Sequence, residues 1–318
     1  MTVGLKDVKI ILHQADGTSM FQPSLLSGIL EMCPRNTLSI SEVRMKLGGE
    51  AFVSLEGTER REVFLDITQT IFPSASEVQP NGEVGETTLQ EKVRYTLPFT
   101  FQLMDHYPSS IDVNSTYSGI TAYVQYFVES IIIKGKNIVE HKSRKEFKFL
   151  QTLDLSAMPT EYATPRLYNK SLRIGTLGLT SVHLSCELER TVYYVGETVT
   201  VMLTVDNSER KIKTKFIIAQ LVQDINLIVK ENDHSSLHKS ATIKVLQSVV
   251  VVDGVQGKKC ERMANVQLPI QPNDLPPTVE TRKSVLMNYA IVVKVIVDEK
   301  SKLSLKIPIR VVKKGNSF

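Results

Sequence analysis

The sequence has few cysteines, no long hydrophobic run and little net charge. Its three cysteines, Cys33, Cys186 and Cys260, are widely spaced and form no Cys-x-x-Cys motif. This pattern favours reduced thiols in a cytoplasmic chain over a disulfide framework. The longest apolar run, Tyr289 to Val293, has five residues, whereas a membrane-spanning helix needs about 20. We therefore expect no transmembrane segment.

The amino terminus also lacks the features of a signal peptide. Lys6, Asp7 and Lys9 interrupt its first residues, which alternate between apolar and polar and form no continuous hydrophobic region. Across the chain, 38 Lys and Arg residues face 34 Asp and Glu residues, for a net charge of +4. That excess is too small to indicate nucleic-acid binding. We expect a cytoplasmic protein with no nucleic-acid partner.

The pattern of apolar residues predicts an all-β protein. We find no window of helical length with the three-and-four apolar spacing of an amphipathic helix. Strict alternation is common instead. In one strand it places Val199, Val201, Leu203 and Val205 on a single face. Short alternating strands separated by turns are typical of β-sandwiches, and an α/β enzyme fold is disfavoured.

Some turns and loops can also be predicted. Gly48-Gly49 separates the alternating runs Val43–Leu47 and Ala51–Leu55, which predicts a hairpin turn at the glycine pair. The segments Pro73–Glu86 and Glu231–Ser240 lack alternation and are expected to be surface loops.

The chain length of 318 residues suggests two domains, at about 150 residues for each. Near the middle, a segment without alternation contains Pro159 and Pro165 and is the best linker. We therefore expect an N-terminal domain over residues 1–155, a linker over 156–171 and a C-terminal domain over 172–318.

Three stretches carry a family resemblance. Tyr193–Ile225 resembles the opening of an arrestin C-domain, in which an aromatic-x-Gly-Glu turn precedes a strand, an Asn-Ser turn and a second strand. Leu97–Leu103, followed by Tyr107–Ser110, is similar to the N-domain pattern of the α-arrestins. Leu275–Thr278 and Tyr289–Val297 resemble the last part of the C-domain. The matches occur in the family's order along the chain.

The resemblance implies two arrestin-like β-sandwiches in tandem and a non-catalytic adaptor without a cofactor. Such an adaptor would bind the cytoplasmic tails of membrane receptors or transporters and direct them into endocytosis or sorting. It would be cytoplasmic, with recruitment to the plasma membrane or to endosomes and peripheral contact with anionic lipid.

The sequence departs from the α-arrestin pattern in one respect. Many α-arrestins recruit a ubiquitin ligase through Pro-Pro-x-Tyr motifs in a long tail, but this chain ends six residues after Val312. Its only Pro-Pro pair, Pro276-Pro277, is followed by Thr278-Val279. We therefore expect a ubiquitin ligase to be reached only indirectly.

One basic segment is a candidate binding site. Lys211, Lys213 and Lys215 alternate with other residues, so a strand would place three ammonium groups on one face, about 6 to 7 Å apart. With Arg210 alongside, they could hold a phosphorylated tail or a phosphoinositide head group. The alternative is a solvated sheet face whose lysines protect an edge.

Other polar residues of the sequence are expected to have structural roles. Arg44 and Lys46, on the polar face of a predicted strand, are a weaker version of the same basic pattern. A looser basic run is expected to be a solvated strand and turn; it comprises Lys142, Arg144, Lys145 and Lys148. His234 and His238 have the spacing of two metal ligands on a helix, but no third ligand and no helical pattern accompany them. We predict no metal site.

No signature of catalysis is present. The sequence contains no Gly-x-Ser-x-Gly elbow and no phosphate-binding glycine motif. Two alternatives to the adaptor stay open. A retromer-type arrestin-fold coat subunit would associate stoichiometrically with fixed partners, and a hydrolase using His234 or His238 would require bound metal.

Overall fold

The structure is a computed structural model, and the chain forms two compact units, Met1–Gln151 and Thr152–Phe318. The described residues are 4–13, 20–21, 24–73, 87–104, 106–115, 120–135, 138–151, 160–174, 180–211, 213–232, 235–252, 254–271, 275–299 and 301–314. Apart from one four-residue helix, the regular elements are all strands. The expectation of an all-β protein is confirmed.

The described residues of the first unit form twelve strands. They are β1 (Leu5–Leu12), β2 (Met20–Phe21), β3 (Ser24–Pro34), β4 (Leu38–Ile40), β5 (Glu42–Leu55), β6 (Thr58–Phe72), β7 (Thr87–Leu89), β8 (Tyr95–Leu103), β9 (Ile111–Ser115), β10 (Ile120–Lys134), β11 (Ile138–Phe147) and β12 (Phe149–Leu150). One sheet has the order β1-β3-β8, and the larger one has the order β11-β10-β5-β6 with β9 paired to β10. β12–β2 and β4–β7 form two small pairs.

The core of the first unit follows the period-two pattern of its strands. In β5, Val43, Met45 and Leu47 are fully buried, while the alternate residues Arg44 and Lys46 are only half-buried. Burying an aliphatic side chain of this size stabilises a fold by about 1.5–3 kcal/mol. The alternation therefore identifies the core face of this strand.

In the second unit, the part of the chain that the structure describes forms one helical turn and ten strands. They are α1 (Thr160–Ala163), β13 (Arg166–Ile174), β14 (Thr180–Leu188), β15 (Val192–Tyr194), β16 (Thr198–Asp206), β17 (Phe216–Asn232), β18 (Ser235–Val252), β19 (Cys260–Pro269), β20 (Val279–Glu280), β21 (Val285–Ile296) and β22 (Lys302–Val312). The sheets have the orders β13-β14-β16-β19 and β15-β22-β21-β17-β18, with β20 paired to β21.

Both sheets of the second unit contribute to one core. The predicted face of β16, Val199 to Val205, is fully buried at each alternate position. It belongs to the same buried cluster as Leu221 of β17, Ile291 of β21 and Ile307 of β22. This is the sandwich-like arrangement that the sequence predicts.

Each unit contains a buried tyrosine whose hydroxyl is hydrogen-bonded to a proline carbonyl. The Tyr126 hydroxyl in β10 donates to the Pro108 carbonyl, and the Tyr289 hydroxyl in β21 donates to the Pro276 carbonyl. Burial raises the pKa of both phenols, so both hydroxyls keep their protons and remain donors. The two units thus use the same tie between a central strand and a proline segment.

The residues after these prolines fasten a late strand in each unit. In the first unit, the Ser109 hydroxyl accepts from the Gln151 amide at 2.8 Å, and the Ser110 amide donates to the Phe149 carbonyl at 2.7 Å. In the second unit, the Thr278 amide donates to the Val311 carbonyl at 2.7 Å, and its hydroxyl accepts from the Val311 amide at 2.9 Å. The first and second units therefore resemble each other in these specific polar contacts.

These ties predict the effect of removing a hydroxyl. Tyr126→Phe and Tyr289→Phe each leave a proline carbonyl without this donor, and we expect each to lower the free energy of unfolding by about 1–3 kcal/mol. Tyr123→Phe is the control, because Tyr123 is only half-buried and its ring stacks on Phe52 through contacts that the change preserves. Urea unfolding followed by circular dichroism measures the three values. Equal losses in all three variants would contradict the assigned ties.

The prediction of a hairpin turn at Gly48-Gly49 is wrong. Both glycines lie inside the continuous strand β5, and the turn to β6 falls at Glu56-Gly57, where both residues have positive φ. A Cβ on Gly48 would lie 2.2 Å from the ring of Phe127, and one on Gly49 would lie 2.6 Å from the ring of Phe64. The glycine pair therefore makes room for aromatic rings within the sheet.

Two other local predictions need correction. The expected loop Glu231–Ser240 belongs largely to the β17–β18 pair, in which Asn232 is opposite Ser235. The expected linker overlaps β13, because residues 166–171 pair with β14. The expected loop Pro73–Glu86 lies outside the described residues except for Pro73, as do residues 156–159 of the linker. The domain boundaries stay a prediction.

Candidate anion-binding surface

Two loops lie side by side at one end of the second unit. Loop 207–215 connects β16 to β17, and loop 254–259 precedes β19. Asp206, the last residue of β16, is opposite Cys260, the first residue of β19. This register brings the two loops together although they are distant in the sequence.

Backbone hydrogen bonds join the two loops. The Asn207 amide donates to the Lys259 carbonyl at 2.9 Å, and the Lys258 amide donates to the Arg210 carbonyl at 2.7 Å. Further along, the Thr214 amide donates to the Val255 carbonyl at 3.0 Å. The loops therefore form one unit of local structure, which we call the basic loop pair and define by its described residues, 207–211, 213–215 and 254–259.

Two buried polar side chains strengthen this connection. The Asn207 Nδ2 donates to the carbonyls of Val255 at 3.1 Å and Gln256 at 3.2 Å. The Thr214 hydroxyl accepts from the Val255 amide at 2.7 Å. Asn207 and Thr214 are fully buried, so losing these contacts would leave buried polar groups unsatisfied.

The loops also touch backbone to backbone, which requires glycine at two positions. Gly254 has a φ of +82°, and a Cβ there would lie 1.8 Å from the Thr214 carbonyl oxygen. A Cβ on Gly257 would lie 2.2 Å from the Lys211 carbonyl oxygen. Side chains larger than hydrogen would separate the loops.

The basic loop pair concentrates positive charge. Lys211, Lys215, Lys258 and Lys259 are exposed, and Lys213 is half-buried. Lys215 forms an ion pair with Glu299 at 3.4 Å, and both side chains are well exposed. An exposed pair of this kind is worth little and leaves the ammonium group accessible.

Arg210 differs from the lysines because it is buried. Its residue is 8% exposed, and its Nη1 has no hydrogen-bond partner among the described residues. A buried guanidinium nitrogen without an acceptor is unusual, since unsatisfied buried polar groups are costly. The Arg210 Nη1 is an unsatisfied buried donor in the same loop as Lys211, Lys213 and Lys215.

Two carboxylates, Glu209 within the basic loop pair and Asp206 next to it, already accept hydrogen bonds. Glu209 accepts from the Ser181 hydroxyl at 2.6 Å and from its amide at 2.7 Å, and these bonds lower the pKa of Glu209. Hydrogen bonds from Ser208 likewise lower the pKa of Asp206. Both carboxylates are therefore ionised at neutral pH and offset part of the positive charge.

The structure changes the geometry predicted for the lysines. β17 begins at Phe216, so the expected strand with Lys211, Lys213 and Lys215 on one face is not formed. Thr214 is tied to Val255 instead, and this contact holds the segment against the other loop. The sequence analysis missed Lys258 and Lys259. The signal was a glycine-containing turn, Gly254 to Gly257, directly before two lysines.

The other basic candidates are held by neighbouring acids. Arg44 donates to Glu42 at 2.8 and 2.6 Å, and Lys46 pairs with Asp66 at 2.7 Å. These residues neutralise one another, which supports a structural role.

Arg144 is likewise committed to contacts within the first unit. Its guanidinium lies 3.5 Å from the ring centre of Phe127 and 3.1 Å from the buried Glu50. Burial raises the pKa of Glu50, but hydrogen bonds from Gln125 and Arg144, together with the positive charges of Arg61 and Arg144, more than offset this and hold the pKa below its usual value. The run Lys142 to Lys148 therefore contains a structural arginine.

Only one histidine of the pair His234 and His238 lies within the described residues. His238 lies in β18, and His234 lies outside the described residues. In the part of the chain that the structure describes, no group of three or more His, Cys, Asp or Glu side chains could hold a metal ion. No helix in that part is long and apolar enough to span a membrane.

The sequence of this chain is similar to those of arrestins. Residues 180–316 match the family model for the C-terminal domain of arrestin, or S-antigen. S-arrestin of Aquarana catesbeiana is 23% identical over 219 residues, covering 69% of this chain and 53% of that protein. Arrestin-C of Ictidomys tridecemlineatus is 25% identical over 211 residues, covering 64% of this chain and 50% of that protein.

The chain spans about half the length of the curated relatives it matches. The matched domain contains the basic loop pair and most of the second unit. Together, the domain match and the relatives support the arrestin family for this chain.

Proposed function

We propose that this chain is a non-catalytic adaptor of the α-arrestin branch. It binds the cytoplasmic tails of membrane receptors or transporters and directs them into endocytosis or sorting. The observation that carries the proposal is the match of residues 180–316 to the arrestin C-terminal domain. The Leu97-Pro98-Phe99 stretch resembles the N-domain pattern of the α-arrestins, and together with the Tyr194–Glu197 turn it favours the adaptor over a coat subunit.

The basic loop pair supplies an anion contact for this adaptor. Lys211, Lys258 and Lys259 are exposed beside the buried Arg210. Ammonium and guanidinium groups bind phosphate esters through charge-assisted hydrogen bonds. A phosphorylated tail and a phosphoinositide head group share this chemistry. At the plasma membrane or at endosomes, this anion contact and the contact with the cargo tail would act together. Each contact alone is weak, but the two together would hold the cytoplasmic protein at the membrane.

A ubiquitin ligase is reached through another protein in this proposal. Pro276 and Pro277 are followed by Thr278, not by the x-Tyr of the ligase-binding motif. The Pro276 carbonyl also accepts a hydrogen bond from the Tyr289 hydroxyl, and the Thr278 amide donates one to the Val311 carbonyl. The proline pair therefore has a structural role within the second unit.

Affinity capture from gently solubilised cells, read by mass spectrometry, tests the adaptor function. We expect the tagged chain to recover membrane receptors or transporters. The variant Lys211→Glu/Lys258→Glu/Lys259→Glu should lose them. The control is Lys134→Glu/Lys142→Glu/Lys148→Glu, which makes the same charge change at exposed lysines of the first unit. A fixed stoichiometric set of coat subunits without cargo would favour the retromer-type alternative and refute the adaptor.

A further inference from the structure

The free edges of the sheets differ in their protection against pairing. An edge strand presents unpaired backbone N–H and C=O groups, and charges, prolines or bulges prevent another strand from adding there. β8 contains Pro98, β19 ends in Pro269, and β1, β11 and β13 carry charged side chains along their length. These edges are therefore poor templates for a further strand.

The edge strand β18 lacks such charges and prolines over its last eight residues. Val245–Val252 reads Val-Leu-Gln-Ser-Val-Val-Val-Val, without a charge, a proline or a glycine. Among the described residues, β18 pairs only with β17, and no strand pairs with its other side. Uncharged segments of high β propensity are the ones that pair readily with further strands.

Both faces of this segment present apolar side chains. Leu246, Val249 and Val251 are partly buried against the core of the second unit. On the other face, Val245 is 48% exposed and Val250 is 67% exposed. An added strand would cover side chains on both faces, so it must itself be apolar on both faces.

We propose that β18 pairs antiparallel with β18 of a second copy of this chain. The segment Val245–Val252 itself has the composition that such a partner needs. In the sequence it is preceded by Lys244 and followed by Asp253. Antiparallel pairing of identical strands brings the start of one segment beside the end of the other, so opposite charges flank the contact.

Bulges protect parts of the β18 edge, so they restrict the pairing to a short regular stretch. Its register with β17 shifts between Leu221 and Val222 and again between Ile217 and Ile218. Between these shifts, Gln247–Val250 forms a regular ladder. A two-fold contact centred near Ser248 uses this regular stretch and joins two sheets into one continuous sheet.

Sedimentation velocity of the full chain tests the dimer. We expect the wild type to shift from monomer to dimer with increasing concentration and Val250→Lys to stay monomeric, since a charge in the contact opposes pairing. The control is Val63→Lys, a 58% exposed position on the edge strand β6 of the first unit, and it should dimerise like the wild type. A wild type that stays monomeric throughout, or a dimer that Val250→Lys leaves intact, would overturn the proposal.

Disulfide cross-linking gives a second readout in case Val250→Lys disturbs folding. Ser248→Cys, in a Cys260→Ser background that removes the exposed native thiol, should form a linked dimer under mild oxidation. A disulfide requires Cα atoms within about 7 Å, which the two-fold contact provides. Val63→Cys in the same background is the matched control. Absence of linkage at position 248, or equal linkage at position 63, would exclude the contact.

Discussion

Gly254→Ala is expected to separate the two loops of the basic loop pair and to destabilise the second unit. The new Cβ would lie 1.8 Å from the Thr214 carbonyl oxygen, which is backbone and cannot rotate away. The positive φ of +82° adds strain for any residue with a Cβ, about 1–2 kcal/mol. We expect a total loss of about 2–5 kcal/mol in the free energy of unfolding, because overpacking adds about 1–3 kcal/mol to this strain.

A matched control isolates the clash from the strain. Gly57 has nearly the same φ, +83°, but a Cβ there would meet nothing within 4 Å. Gly57→Ala should therefore cost only the strain, about 1–2 kcal/mol. Urea unfolding monitored by circular dichroism compares the two variants. If Gly254→Ala costs no more than Gly57→Ala, the close approach of the loops is wrong.

Reversing the charge of the basic loop pair is expected to abolish its binding to anionic membranes. Lys211→Glu/Lys258→Glu/Lys259→Glu removes three exposed ammonium groups, each worth about 1 kcal/mol at an anionic surface. The loss of about 3 kcal/mol corresponds to a more than 100-fold weaker association, and the introduced carboxylates increase it. Added salt should weaken the wild-type association, since exposed charges are screened.

Co-sedimentation with vesicles provides the measurement. Vesicles containing phosphoinositide and vesicles of neutral lipid are compared with a phosphoserine peptide, whose binding is read by fluorescence anisotropy. The triple variant of the first unit, Lys134→Glu/Lys142→Glu/Lys148→Glu, is the control and should bind like the wild type. Binding to vesicles alone identifies a lipid head group as the source of the phosphate, and binding to the peptide alone identifies a protein tail. An equal loss in both triple variants would show that net charge, and not this surface, determines the association.

The sequence predicts the core better than the turns, for a physical reason. Alternation reports which side of a strand is buried, so the buried face of β16, Val199 to Val205, is evident from the chain alone. Gly48-Gly49 misleads because glycine serves both in turns and where a ring crosses a strand. Only the neighbouring Phe127, far away in the sequence, separates the two uses.

The basic loop pair is even harder to predict from the sequence than the turns are. The lysines of loop 207–215 stand out in the sequence, but their partners Lys258 and Lys259 are placed beside them by hydrogen bonds between distant segments. No local pattern encodes that contact. In the sequence, Asn207 looks like an ordinary turn residue. In the structure it is buried, and its side chain is one of those that hold the two loops together.

Mapping of phosphate binding by nuclear magnetic resonance tests the central claim most directly. Inorganic phosphate is titrated into deuterated, nitrogen-15-labelled protein, and amide shifts are followed along the chain. The account predicts shifts in both loops together, at residues 207–215 and at 254–259, and their loss in Lys211→Glu/Lys258→Glu/Lys259→Glu. Shifts confined to one loop, or concentrated around Lys142 of β11 and the following Lys148, would contradict it.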